Sequence, residues 1–280
     1  MVTVHSLGEA LGAEVVDFSV DDLRPKLVSE LEEAFFEHHL LCFRGPPVEA
    51  GEFAALARAF GEPQIQLIRK KRVADVPEVS VLESTYKRAE DKPSDLQQVR
   101  LSGWHTDDSY FAVPAKATLL QALDIPSAGG QTKFINTRKA WDDASAELKA
   151  RIRDLKAVHK YDSARAFAPP EKRNSQELAE TPDVVHPLVR THEESGKKAI
   201  YFNPNRTDHV VGMSRSDSDA LLDELYEYCT QDKYQYAHEW RLGDILLWDN
   251  RCLMHAVNTD FPVGERRRHQ RILLKGAPPS

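Results

Sequence analysis

Cysteine is scarce in this 280-residue chain: Cys42, Cys229 and Cys252 are the only three, and none stands in a CxxC spacing. That excludes the common zinc-ribbon and dithiol redox motifs and suits a reducing compartment. Long apolar runs are also missing, with nothing near the roughly 20 residues that a membrane helix needs. The first residues, MVTVHSLGEALGAEVVDFSVDDL, lack a basic region followed by an apolar stretch and a small-residue cleavage site, so a cytoplasmic location is expected. Positive charge is not in excess: the formal net charge is −7, which argues against a nucleic-acid partner, since phosphate contacts need a clustered basic surface. The short basic clusters Arg69-Lys70-Lys71-Arg72 and Arg266-Arg267-Arg268 do not change that balance, and the first is read as a solvated loop face. No internal repeat is found. What is present, 41% hydrophobic and 29% charged residues, is an ordinary globular composition able to bury a real core.

Pattern and punctuation divide the chain into many short elements. Residues 2–18, with Gly8 and Gly12, read as one or two short strands and a turn. Leu23, Leu27, Leu31, Ala34 and Phe35 recur at helical spacing, with Pro25 in the first turn where its missing amide is harmless, and that helix ends near His38-His39. Leu40-Leu41-Cys42-Phe43 reads as a buried strand, and 50–60 as a second helix stopped by Gly61-Glu62-Pro63. Further strands are expected at 79–81, 117–123, 131–135, 184–190, 198–203, 245–249 and 271–275, and helices at 138–155 and 216–230. Residues 83–100 and 162–182, polar and without apolar pattern, are expected to be flexible loops or a lid. Many short strands with long excursions suggest a single mainly β domain over 1–280, with flanking helices around a jelly-roll or double-stranded β-helix core.

The chemistry concentrates at Trp104-His105-Thr106-Asp107. On an extended strand, residues i and i+2 project from one face, so His105 and Asp107 could converge on one ion. An HxD pair alone often arises by chance, and a third ligand must come from elsewhere. The apolar segment Gly243 to His255 supplies one, ending in a histidine. Two imidazoles and a carboxylate on one face of an octahedron leave three positions open, the facial triad of oxygen-activating iron(II). Cys252, at an odd offset from His255, is expected to point the other way as a small buried residue.

With these residues in view, the sequence resembles the taurine and 2,4-dichlorophenoxyacetate dioxygenases. The matching stretches are Gly103 to Asp107, Pro126 to Thr132, Trp248-Asp249-Asn250-Arg251, His255, and Arg267 to Arg271 ahead of Gly276, with Pro187 to His192 similar to the family's middle segment. The resemblance implies a double-stranded β-helix (cupin-like) core, iron(II) on His105, Asp107 and His255, and the co-substrates 2-oxoglutarate and O2. It also implies that Thr132 and Arg267 hold the far carboxylate of 2-oxoglutarate, a task suited to arginine's planar fork. Counting forward from His255 reaches Arg266, whereas counting back from Gly276 reaches Arg267. The second register puts Arg267, His269 and Arg271 on one strand face, and places the extra residue in the turn Phe261 to Glu265.

The implied reaction is hydroxylation of a C–H bond with release of succinate and carbon dioxide, followed by bond cleavage where the new hydroxyl lies next to oxygen or sulfur. A carboxylate at position 107 favours this over halogenation, which needs that space for halide. Arg271 matches the position that grips the primary substrate, so a small organic anion is expected: a carboxylate, aryloxyalkanoate, sulfonate or sulfate ester. Taurine itself is disfavoured, because the taurine enzymes' substrate histidine has no counterpart in Gln64 to Arg72. Two other readings stand beside this one: a non-catalytic metal-binding β-barrel, and an oxygenase acting on a protein- or carrier-bound residue. A homo-oligomer is left open.

Overall fold

The computed structural model describes residues 2–67, 71–85, 103–166, 170 and 172–280. Two short strands, β1 (Val4–Ser6) and β2 (Ala13–Val15), pair antiparallel and lead to helix α1 (Pro25–His38). That helix turns Leu31, Ala34 and Phe35 inward and stops at His39, whose backbone is left-handed. Next come β3 (Leu40–Phe43) and α2 (Ala50–Phe60), the latter opened by a reciprocal capping box between Glu49 and Glu52. Strands β4 (Pro63–Gln64), β5 (Ser80–Thr85), β6 (Ala115–Asp124) and β7 (Thr132–Asn136) follow. After β7 lie α3 (Thr137–Asp143), α4 (Ala146–Ile152), β8 (Lys156–His159) and α5 (Ser175–Ala179), then β9 (Val184–Pro187), β10 (Val189–Thr191), β11 (Lys198–Ile200) and β12 (Thr207–Val210). The chain closes with α6 (Arg215–Cys229), β13 (Gln235–His238), β14 (Ile245–Asp249), β15 (Leu253–Val257) and β16 (Arg266–Lys275).

A major sheet of eight strands runs β1-β2-β3-β14-β6-β16-β4, with β5 also paired to β16. A minor sheet runs β13-β7-β15. The continuous apolar strands explain how these layers stack. In β14, Ile245 and Leu247 join the core under α1 and α2, whereas Leu246 and Trp248 join the core that also holds Phe134 of β7 and Leu253 of β15. In β3, Leu41 and Phe43 face the helices, and Leu40 and Cys42 face the minor sheet. A strand buried on both faces needs no polar alternation, which is why both read as uninterrupted apolar runs. Each large side chain buried this way stabilises by roughly 1.5–3 kcal/mol. A third core lies outside the minor sheet, where Ile135, Met254 and Ala256 meet α3, α4 and α6. Helices, major sheet, minor sheet and helices thus form a double-stranded β-helix with flanking helices, the expected fold class.

Several expected boundaries move. The helix expected over 138–155 is two helices, because Ser145 caps a new start by accepting from the Leu148 amide. Its last residues turn into β8. The strand expected at 184–190 breaks at Leu188 into β9 and β10, which belong to different sheets. The strand expected at 271–275 begins earlier, at Arg266. Residues 83–85 continue β5 instead of opening a loop, and the rest of that expected loop, 86–100, lies outside the described residues. Within 162–182, Asn174 and Glu177 cap the short helix α5, while 167–169 and 171 lie outside the described residues. Of the first basic cluster, Arg69 and Lys70 also lie outside them.

Candidate active site

His105 and His255 face each other across an isolated antiparallel bridge, exchanging both backbone hydrogen bonds at 2.9 and 2.7 Å. Residues paired in this way present their side chains on one face, and the two rings lie 4.1 Å apart between centroids. His255 therefore does not end β14. The chain turns at Asn250 to Cys252 and His255 stands in β15 of the opposite sheet, with Cys252 buried within the turn. Asp107 is likewise not on a strand: it begins a turn that continues through Asp108, whose φ is +57°. The expected convergence occurs, but cross-strand pairing and a turn produce it.

That turn is held firmly. Thr106 donates to the Asn250 carbonyl at 2.7 Å, and the Asn203 amide donates to the Thr106 carbonyl and to Ser109. The Asp107 carboxylate accepts from Thr118 of β6 at 2.7 Å, and lies 3.9 Å from Nε2 of each histidine. Burial alone would raise its pKa, but Arg271, the two imidazoles and Thr118 hold it at about 2. Burial, then His105, pushes His255 down to about 3. His105 Nδ1 donates to the Gly103 carbonyl at 2.8 Å, which orients the ring with Nε2 toward Asp107. Two imidazoles and an ionised carboxylate, with ligand atoms all within 4.8 Å of one another, fit a divalent cation. Other buried His/Asp/Cys groupings are spent on the protein itself. In one, Asp244 accepts from Arg44 at 2.5 Å and lies 3.1 Å from His238; in another, Asp249 is held by Arg251 and His192.

Two cavities carry the arginines expected from the sequence. One, of about 280 Å³, is lined by Gly129, Gly130, Trp240, Arg267 and His269. Arg267 donates to the Gly130 carbonyl and to Thr132 Oγ1, both at 2.9 Å, and Trp240 donates to the same hydroxyl at 3.1 Å. Gly130 has a left-handed backbone, and a Cβ there would crowd Pro126 and Arg267. The register is unambiguous: Arg267 is 5% exposed, whereas the Arg266 side chain is 51% exposed and paired with Asp124 at 2.6 Å. His269 is fully buried against Trp240, with both ring nitrogens lacking a hydrogen-bond partner among the described residues. Burial, then Arg267 and His238, keeps it neutral. Such a cavity suits a polar, anionic ligand, because the Arg267 guanidinium brings positive charge to it and the buried His269 ring nitrogens lack partners among the described residues.

The other cavity, of about 300 Å³, is lined by His105, Asp107, Arg271 and a second arginine, Arg206. Arg271 donates to Gln66 Oε1 at 2.6 Å and lies 3.4 Å from Asp107, while its Nε has no partner among the described residues. Sequence reasoning missed four neighbours here: Gln64, Gln66, Asp108 and Arg206. Gln64 and Tyr110 both donate to the Asp108 carboxylate, whose pKa is raised to about 6 by burial and by Asp107. Gln64 and Gln66 lie in the segment that lacked the expected histidine, and glutamine carries no motif signal.

The family described as taurine catabolism dioxygenase TauD, TfdA matches residues 3–273. An alpha-ketoglutarate-dependent 2,4-dichlorophenoxyacetate dioxygenase from Burkholderia sp. (strain RASC) is 30% identical over 91% of this chain and 87% of its own. An alkylsulfatase from Acinetobacter baylyi is 30% identical over 98% of this chain and 84% of its own. The crystal structure of a taurine dioxygenase from Burkholderia xenovorans superposes with a TM-score of 0.84 at 28% identity, over 99% of this chain and 90% of that one.

Proposed function

The chain belongs to the TauD, TfdA dioxygenase family, and from that premise we propose that it hydroxylates a small organic anion beside iron(II) held by His105, Asp107 and His255. It is an iron(II)- and 2-oxoglutarate-dependent dioxygenase, since 2-oxoglutarate is the alpha-ketoglutarate of its relatives' names. Together, iron(II) and 2-oxoglutarate supply activation of O2, with the co-substrate leaving as succinate and carbon dioxide. The chain supplies position and charge. Arg267 and Thr132 bind the far carboxylate of 2-oxoglutarate, and Arg271 orients the anionic end of the primary substrate. Thr118 fixes which way Asp107 presents its oxygens, a support that tunes metal affinity in comparable sites.

The observation that carries this reading is the placing of Arg267 and Arg271 on one face of β16, each lining a cavity, with His105 and Asp107 in the wall of the Arg271 cavity and His255 close beside them. A non-catalytic metal barrel gains nothing from two such cations, and the family match does not support it. A cavity of about 300 Å³ is at the small end for ligand sites and favours a free small molecule over a carrier-bound one. Three free, buried cysteines suit the cytoplasm, and no described helix is long and apolar enough to cross a membrane. The test is succinate release from 2-oxoglutarate with iron(II), screened across carboxylates, sulfonates and sulfate esters. Turnover should vanish in His105→Ala, Asp107→Ala and His255→Ala while circular dichroism stays native. Full activity in Asp107→Ala would sink the ligand assignment.

A further inference from the structure

Arg206 lies in the loop between β11 and β12 and lines the same cavity as Arg271. Its backbone is fixed at both ends: its amide donates to the Asn203 carbonyl at 2.9 Å, and its carbonyl accepts from the Lys160 amide at 2.8 Å. The guanidinium sits 4.8 Å from the Tyr161 ring and 5.7 Å from the Tyr110 ring, and donates to the Tyr161 carbonyl at 2.5 Å. Held in this way, it loses little freedom on meeting a ligand.

Its charge is not matched among the described residues. Among the described residues, Arg206 has no carboxylate within ion-pair distance. Asp162, whose charge reaches it, is bonded to Arg173. Asp108, in the same cavity wall, has one oxygen accepting from Tyr110 and the other from Gln64. Several other arginines that are buried or half-buried do meet acids: Arg165 meets Asp219, Arg190 meets Glu193, and Arg251 meets Asp249. A desolvated guanidinium lacking an anion is costly, and a ligand oxyanion relieves that cost. The wall itself points the same way. Its described residues are all charged, polar or tyrosine, with no aliphatic side chain to receive an alkyl tail.

We propose that the primary substrate is a compact dianion, with one oxyanionic group on Arg271 and a second on Arg206, so that the carbon to be hydroxylated lies between them. This rests on Arg271 being the anchor for the primary substrate. Arg206 is then a specificity-determining residue that selects for a second acidic group.

The experiment compares wild type with Arg206→Gln and Arg206→Lys on length-matched aliphatic series: dicarboxylates, sulfocarboxylates, their half-esters and the corresponding monocarboxylates. Succinate release gives kcat/KM, and calorimetric titration of each compound gives affinity independently of turnover. In wild type the best dianion should exceed its half-ester by at least about tenfold, the scale of a desolvated charge pair. In Arg206→Gln that ratio should collapse toward one, and Arg206→Lys should keep part of it. A general structural defect would depress both compounds alike and leave the ratio unchanged. If Arg206→Gln fails to fold, the wild-type ratio and Arg206→Lys still decide. Equal use of monoanions and dianions by wild type, or an unchanged ratio in Arg206→Gln, overturns this proposal while sparing the oxygenase reading. No succinate with any anion overturns the Arg271 reading and this one together.

Discussion

Arg266 and Arg267 are neighbours with one side-chain chemistry and opposite surroundings, since strand alternation sends one to solvent and the other between the sheets. Replacing Arg267 by alanine should raise the KM for 2-oxoglutarate by an amount corresponding to about 2–5 kcal/mol, because the ligand carboxylate is then left buried and unpaired. Arg266→Ala should leave it nearly unchanged, its partner being the solvated Asp124. Side-by-side 2-oxoglutarate titrations check this, and a reversed result would move the co-substrate to Arg266. At this scale the sequence was most informative where chemistry dictates type: a His/Asp/His set that the fold brings together, and two arginines that each line a cavity. It was silent on Gln64, Gln66 and Arg206. Amides and arginines are common surface residues, and only the folded chain reveals that Arg206 lines the cavity while the two glutamines bond Asp108 and Arg271 in its wall.

Elements were legible where burial is two-sided or helical. The runs 40–43 and 245–249 were read correctly because neither strand has a solvated face. The strands β8, β12, β13 and β15 were not foreseen; each contains a histidine and all have five residues or fewer, so no alternation develops over so short a length. The even spacing of Arg267, His269 and Arg271 did signal the start of β16, although the apolar run alone begins only at Ile272. The β13–β14 turn depends on Gly243, whose φ is +90° and whose missing side chain admits the backbone of Gly45 and Pro46. Gly243→Ala should therefore destabilise by on the order of 2–4 kcal/mol, since both backbone strain and a backbone clash apply. Urea denaturation measures this, and a loss below about 0.5 kcal/mol, the range of ordinary surface changes, would show that the turn relaxes freely.

For the molecule as a whole, acid sensitivity should centre on Asp249 at the end of β14. Burial opposes its charge, yet Arg251, donating at 2.8 and 2.7 Å, and His192 hold its carboxyl well below the usual carboxylate range. A depressed folded pKa gives stability that is fully present above the unfolded value of about 4 and is lost as pH falls through the folded one. Asp249→Asn takes from the Arg251 guanidinium its fully buried partner, leaving only the more exposed Glu193 and Glu194, and should cost about 3 kcal/mol at neutral pH. The gap in Tm between wild type and the variant should narrow steadily below about pH 4, and a constant gap would mean that the charge is irrelevant. The bridge between His105 and His255 has a different consequence. One histidine belongs to the minor sheet, the other to an incoming loop, and Asp107 is tied through Thr118 to the major sheet. An ion drawn among the three would act as a clasp across the seam of the sandwich. Under anaerobic conditions, iron(II) at a hundred times its dissociation constant should add about 2.7 kcal/mol to unfolding stability. Amide exchange should slow on β15 and β6 together, and slowing on one side alone would show that the seam opens with the clasp still closed.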